Sequence, residues 1–340
     1  MKFLEAFYSK VFVNIVANKE GLDVSVEVYA KKVQVSGYEK SFSEIDESML
    51  DFIESYTSES PYYYISVLDS SSTQGAIPTC LKNRLSYYQD VSDCEYKCHD
   101  SKWTYYTSKT NLYDMEKKYK RVGIDFIFSP FSVLAHFFKD KLEGQTSLYL
   151  LIEDYYISVG VFADMQLLYA EHLNISDYRE NEELYIVNDE QDDGLELELD
   201  DSIDLEGINA IDDMDSLDSL DDFGDIEDLD SLEDIDEFSD TQDIEEEFNQ
   251  EQEEELVMNA HSSSSDDYKR FFLIQNSINA FYKDDKYESE FIDNVYVADA
   301  VGVSLDMKRY FEEEMFMNVY IRRIVLGDAL LELAKEELSV

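Results

Sequence analysis

The 340-residue chain is short of the residues that punctuate and staple a fold: it has 3 Pro, 3 Cys and 11 Gly. So few prolines leave strands and helices largely unbroken. The cysteines Cys80, Cys94 and Cys98 are too sparse for a disulfide framework and suit a reducing compartment. DCEYKCH (Asp93–His99) brings two Cys and a His close together. A structural zinc site needs four ligands, and no second pair occurs, so the segment reads as a surface loop with reduced thiols. Apolar runs end after about five residues, as in Leu148–Ile152, well short of the roughly 18 that cross a bilayer. The opening MKFLEAFYSKVFVNIV is interrupted by Glu5, Lys10 and Asn14 and shows no cleavage site preceded by small residues, so no signal peptide is expected.

Positive charge is also scarce: 27 Lys and Arg face 78 Asp and Glu, a formal charge of −51. The excess is concentrated. Asp189 to Ala260 holds 33 acids in 72 positions and no Lys or Arg, leaving 45 acids against 27 bases elsewhere. No basic stripe is available for a phosphate backbone, so nucleic-acid binding is not expected.

What is present is alternation. VFVNIVA, LDVSVEVYA and KVQVSGY, separated at Asn18–Gly21 and Lys31-Lys32, predict a three-strand antiparallel meander. SFSEIDESMLDFIESY predicts a helix capped by Ser43, and YYYISVLDS a further strand. WTYYTSK predicts a strand within an otherwise illegible stretch from 71 to 120. GIDFIFS predicts a buried strand, followed by a helix from Pro130 to about Leu142 with proline at its favoured first turn.

The plan then repeats. LYLLIE, YISVGVF and LLYAEHL form a second meander, with turns at Glu153-Asp154 and Ala163-Asp164. After the acidic stretch come helix DDYKRFFLIQNSINAFYKD, strand FIDNVYVAD, helix SLDMKRYFEEEMF, strand NVYIRRIVL and helix GDALLELAKEEL. Ser264-Ser265-Asp266 offers a cap for the first of these helices. His136 and His172 read as packed or surface residues rather than catalysts.

IFSPFSVLAHFF, the meander Leu148–Leu173 and the ending VYVADAVGVSLDMKRYFEEEMFMNVYIRRIVLGDALLELA resemble PilM-type proteins. These are cytoplasmic actin-like components of type IV pilus assembly platforms, related to the cytoplasmic domain of the secretion protein GspL. The resemblance covers roughly residues 120–180 and 266–340, with an echo in 11–70. It implies an α/β, two-lobed actin-like fold: a first lobe over 1–145, a second over 146–187 and 262–340, and an acidic insertion over 188–261. It implies a PilN-like inner-membrane protein as partner, its cytoplasmic tail held in the first lobe of a scaffold peripheral at the inner membrane. The machine served is a pilus, a secretion system or a flagellar motor.

Actin-like nucleotide sites place phosphates between two Asp-x-Gly turns, where glycine lets backbone amides approach the anion. Here the first turn offers Asn14 and Asn18 without Asp, and Gly21 lies past it. The second keeps Glu153 and Asp154 but puts Tyr155 and Tyr156 where a small residue belongs. The adenosine-side motif reads ADAVG, with Asp299 and Gly302. The site is therefore expected to be degenerate, with Tyr155 and Tyr156 occupying or capping the interlobe cleft. No ATP or Mg²⁺, no metal and no catalysis are expected. The alternatives are an actin-like ATP-binding protein or ATPase, for which Asp154 is the well-placed acid, and an acidic interaction protein acting through its insertion.

Within the insertion apolar residues recur every third position from Ile208 to Phe238. At about 100° per residue such positions drift by about 60° a step around a helix, so no lasting apolar face forms and disorder is expected. Leu217, Leu220, Phe223, Leu229, Leu232 and Phe238 are candidate anchors for a basic protein drawn by the flanking acids. No DxDxDG loop with its closing Glu appears, which weakens a calcium reading. Deleting Asp189–Ala260 is expected to leave a cooperatively folding protein. Loss of the cooperative thermal transition in the deletion variant would refute this.

Overall fold

The computed structural model describes residues 8–31, 33–178 and 250–338, with 250–264 described in backbone only. The acidic stretch from 179 to 249, with its six candidate anchors, lies outside the described residues. Of these, residues 8–31, 33–178 and 256–338 belong to one compact unit.

The alternating segments form strands as expected. β1 (Lys10–Asn18), β2 (Gly21–Ala30) and β3 (Val33–Phe42) make the first meander, paired from Asn18↔Gly21 outward. Gly21 has φ +146°, and a Cβ there would fall 2.1 Å from the Phe42 carbonyl oxygen. The glycine is thus fixed by the close approach of β3, a role distinct from phosphate binding. Helix α1 (Glu47–Thr57) is capped by Asp46, whose carboxylate accepts from the Met49 amide at 2.9 Å, and not by Ser43. Asp46 stands immediately before the helix, where its side chain reaches the third amide; Ser43 lies too far upstream.

β4 (Tyr62–Leu68) and β8 (Phe126–Phe128) add in parallel to β1, giving the order β3-β2-β1-β4-β8. Between them the chain builds a small antiparallel sheet, β5-β7-β6, from β5 (Gln74–Ile77), β6 (Cys94–His99) and β7 (Trp103–Ser108). It is accompanied by α2 (Lys82–Tyr88) and α3 (Lys109–Lys118). DCEYKCH is therefore an edge strand rather than a loop, and its Cys98 is joined to Cys80 in a disulfide with Cα atoms 5.5 Å apart. This corrects the expectation of reduced thiols. β7 holds Ile77 and Cys98 on either side of Thr104, which no spacing along the chain reveals. Cys94 is a free thiol.

Helix α4 (Pro130–Phe137) begins at its Ser129 cap with proline in the first turn. The second meander follows: β9 (Ser147–Ile152), β10 (Tyr156–Ala163) and β11 (Gln166–Asn174). Asp164 and Met165 both have positive φ, 49° and 64°, the mirror-image turn that suits the twist of a tight hairpin. Helix α5 runs from Gln250 to Lys283, so it starts upstream of the Ser264-Ser265-Asp266 cap. β12 (Asn294–Asp299), α6 (Leu305–Glu314), β13 (Asn318–Arg323) and α7 (Leu326–Glu337) complete the chain. The second sheet runs β11-β10-β9-β12-β13, with the same order and directions as the first.

Each sheet buries its outer face against helices of its own half. Met49 of α1 packs with Val13, Val24 and Ile65 of the first sheet, and Phe271 and Ile278 of α5 with Leu150 and Val159 of the second. The inner faces share a core through exchanged helices: α4 packs on β9 and β10, α7 on β1 and β4, and the two helices touch. Phe12, Phe131, Leu134, Phe138, Tyr149, Leu151 and Leu330 meet in this core. Leu330→Ala is expected to cost about 2–5 kcal/mol in urea unfolding, the range for a large core deletion that leaves a cavity. Leu305→Ala, at an exposed helix start, is expected to stay within about 0.5 kcal/mol.

Candidate functional site

The meander turns and the loop after β12 converge on a cavity of about 600 Å³ between the two sheets. Its lining includes Asn14, Asn18, Lys19, Asp23, Glu153, Asp154, Val301 and Arg323. The structure thus gathers Asn14, Glu153 and Asp154 at one place, with the Asp299–Gly302 loop beside them.

The amides that an anion would need are already bonded. In the first turn, the Asn18 carboxamide oxygen accepts from the Glu20 and Gly21 amides at 2.9 and 2.7 Å. The remaining amide, that of Lys19, donates to Asp154 Oδ2 at 3.2 Å, from the first sheet's turn to the second's. In the third loop, Asp299 Oδ1 accepts from Val301, Gly302 and Val303 at 3.0, 2.7 and 3.2 Å, and Arg323 Nη1 donates to Oδ2 at 3.2 Å. Gly302 adopts φ +85°, which shapes this nest of amides. A carboxylate fills a seat whose geometry would otherwise suit an external anion.

Asn14 is fully buried in β1 and ties three strands together: its Nδ2 donates to Ser25, and its Oδ1 accepts from Ser66 at 2.7 Å. Its role is lateral bonding within the sheet. The tyrosines do not fill the cleft, contrary to the sequence reading. Tyr155 is 47% exposed, and Tyr156 turns to stack on His172 with ring centroids 4.8 Å apart. Neither lines the cavity. Tyr156 begins β10 two residues before Ser158, the partner of His172 in β11, so the alternation of the strand puts its ring on the same face of the sheet as the His172 imidazole.

Glu153 is buried, and its Oε1 has no hydrogen-bond partner among the described residues. Burial, with Asp69 and Asp154 nearby, pushes its carboxyl up to about 8. His172 is half-buried, its Nδ1 3.0 Å from the Ser158 hydroxyl, and desolvation holds its imidazole down to about 4. Asp69 and Lys19 matter here as much as the expected residues. The sequence signal for Lys19 would have been its place in the tightest part of the first turn.

A second hollow of about 260 Å³ lies beside β8. Tyr96, Tyr105, Tyr106 and Phe126 line it, with Glu95 and Lys97 from β6. Burial pushes the Tyr106 hydroxyl up to about 12.

Two sheets of identical order and direction, joined by an exchanged helix pair with loops meeting in the cleft, define an actin-like fold. The chain belongs to the family described as Domain of unknown function (DUF8341), whose model matches residues 148–339, more than half its length. Residues 7–135 match a second family, Domain of unknown function (DUF8569). No curated protein matches. Among solved structures, a Bacteroides thetaiotaomicron protein with actin-like ATPase fold and unknown function aligns over 98% of both chains at 11% identity and TM-score 0.47. The ethanolamine utilization protein EutJ from Carboxydothermus hydrogenoformans aligns over 92% of this chain and 84% of its own, at 9% identity and TM-score 0.36. A PilM–PilN type IV pilus biogenesis complex aligns over 49% of this chain and 61% of its own, at 10% identity and TM-score 0.33.

Glu153 and His172 predict opposed pH slopes. Folded Glu153 keeps a proton that the unfolded chain releases near 4.5, so stability falls as pH rises from 4.5 to about 8. Folded His172 refuses a proton that the unfolded chain takes below 6.5, so stability falls as pH drops from 6.5 towards 4. Urea midpoints of the wild type are therefore expected to decline between pH 6.5 and 8. Those of Glu153→Gln should stay level across that window, and a parallel decline in the variant would contradict the assignment.

Proposed function

We propose that the protein is a non-enzymatic, PilM-like scaffold, cytoplasmic and peripheral at the inner membrane, that holds the cytoplasmic tail of a PilN-like membrane protein. The observation that carries this reading is the commitment of the loop amides to Asn18, Asp154 and Asp299. A nucleotide's phosphates would have to displace these internal oxygens, and the bare carboxylates nearby would repel them. ATP and Mg²⁺ have no part in this function.

The tail's seat is the hollow beside β8. β8 and β6 are the outer strands of their sheets, so each offers an unpaired backbone edge to an extended peptide. Tyr96, Tyr105, Tyr106 and Phe126 supply broad, stiff apolar surfaces, and Glu95 and Lys97 supply charge at the rim. Among the described residues no helix is long and apolar enough to cross a membrane, so attachment goes through the partner. The assembly is a pilus platform, a secretion system or a flagellar-motor-associated complex. The acidic segment adds a contact for a basic protein.

A second reading, an actin-like ATP-binding protein, draws on the size of the interlobe cavity, which falls in the range of small-molecule sites. Thermal melts separate the two. Bound nucleotide at about a hundredfold excess over its dissociation constant stabilises a fold by roughly 3 kcal/mol. Millimolar Mg-ATP is expected to leave the melting temperature unchanged, Tyr155→Gly is expected not to create a response, and a PilN-like tail peptide is expected to raise it. An ATP-dependent rise that disappears in Asp154→Ala would establish the second reading instead.

A further inference from the structure

β6 is weakly embedded and covalently tethered. Its residues Glu95 to Cys98 are exposed, and none of its six residues joins a hydrophobic core. It is hydrogen-bonded on one side, to β7, from Cys94↔Ser108 to His99↔Trp103. His99 stacks on Trp103 at 4.5 Å within that hairpin. Its ties beyond the hairpin include the Lys97 ammonium's exposed pair with Glu337 of α7, a contact of small worth. The firm tie is the bond from Cys98 to Cys80, on the link between β5 and α2. Because β7 lies between β5 and β6, this bond straddles the small sheet and fastens its outer strand across the middle one.

Two further observations give that bond a role. Cys98 is exposed, so a small thiol can reach its sulfur. Glu95, Tyr96 and Lys97, the three residues before it, line the hollow beside β8. Exposed disulfides belong to the labile, regulatory kind, and a disulfide in a reducing compartment is more often a sensor than a staple.

We propose that Cys80–Cys98 is a reversible thiol switch that sets the position of β6 and with it the rim of the hollow: oxidation fixes the strand, and reduction lets it fray. Two low-molecular-weight thiols carry out the reduction. The thiolate of the first attacks Cys98 Sγ, the S–S bond breaks, and the Cys80 sulfur leaves with the electron pair and takes a proton. The second thiol attacks the small molecule's sulfur in the mixed disulfide, frees Cys98, and departs as half of one low-molecular-weight disulfide. The same disulfide is the oxidant of the reverse reaction. Cys94 stands apart from this exchange. It sits at the opposite end of β6, opposite Ser108, and burial, with Asp90 and Asp93 nearby, pushes its thiol up and away from the reactive thiolate. The inference deepens the reading of the hollow as the tail's seat and rests on it for what is regulated. The tail-peptide melt tests that reading by itself, whereas the experiment below uses no peptide.

The full chain is equilibrated without oxygen in buffers of glutathione and glutathione disulfide at graded ratios, at about pH 7.5. Free thiols are then trapped with a maleimide and counted by mass. Hydrogen exchange is read at the two end states. The expected count moves from one label to three as the buffer becomes more reducing, and from none to two in Cys94→Ser. Amides of β6 should exchange at least about tenfold faster in the reduced protein, while those of β9 stay unchanged. Cys80→Ser/Cys98→Ser should match the reduced wild type at every ratio. If that variant does not fold, the two end states of the wild type still decide. Three labels at every ratio, or one label at every ratio, overturns the switch. So does equal exchange of β6 in the two states, which would leave the bond without a hold on the strand.

Discussion

The exchange of α4 and α7 between the two sheets is the constraint on which the rest depends. α4 follows the first sheet in the chain and packs on the second; α7 follows the second and packs on the first. Their apolar sides, with Phe12, Tyr149 and Leu151 from the sheets, make one core that neither half can close alone. Burial at about 25 cal/mol per Å² of apolar surface therefore rewards the pair of lobes rather than each lobe. The loops at the edge of this core are brought together as a by-product, and the cavity exists because the core beneath it is shared.

Within that frame, polar bonding across the cleft is sparse and specific. Asp154 accepts from the Lys19 amide, and the Lys19 ammonium approaches Asp266. One residue of the first turn is thus tied at its backbone to one element of the second lobe and at its side chain to another. Exposed ion pairs are worth little by themselves, so the clasp sets the relation of the turns more than it adds stability. Glu153 next to it costs stability above its unfolded pKa, which marks the cavity as a place where stability was not maximised.

The order of elements was legible because each strand alternates and each helix carries a stripe: GLDVSVEVYA and YISVGVFA could hardly be read otherwise. The repeat of the meander was legible for the same reason, and with it the two-lobed architecture. Of the small sheet only WTYYTS was legible as a strand. CEYKCH and WTYYTS form a local hairpin, but β6 is mostly exposed and β7 buried only at its start, so neither shows a clean alternation of buried and exposed residues. At the site, sequence located Glu153, Asp154, Asp299 and Gly302 through turn position. It misjudged Tyr155 and Tyr156 because bulk in a turn was read as obstruction, when the first ring points to solvent and the second stacks along the sheet. That Asn18, Asp154 and Asp299 take the amides is a matter of a few tenths of an ångström, which residue type alone does not encode.

The disulfide has a mechanical meaning. β6 is an outer strand held to β7 by a ladder of hydrogen bonds, and such a strand peels from its end one rung at a time under load. Cys98 is the penultimate residue of β6, and its bond leads to Cys80, on the link between β5 and α2. A pull entering at Cys94 can unzip the first rungs and then meets a covalent stop. Beyond that point the force passes to the far side of the sheet, and the strand bears tension in shear instead of coming away.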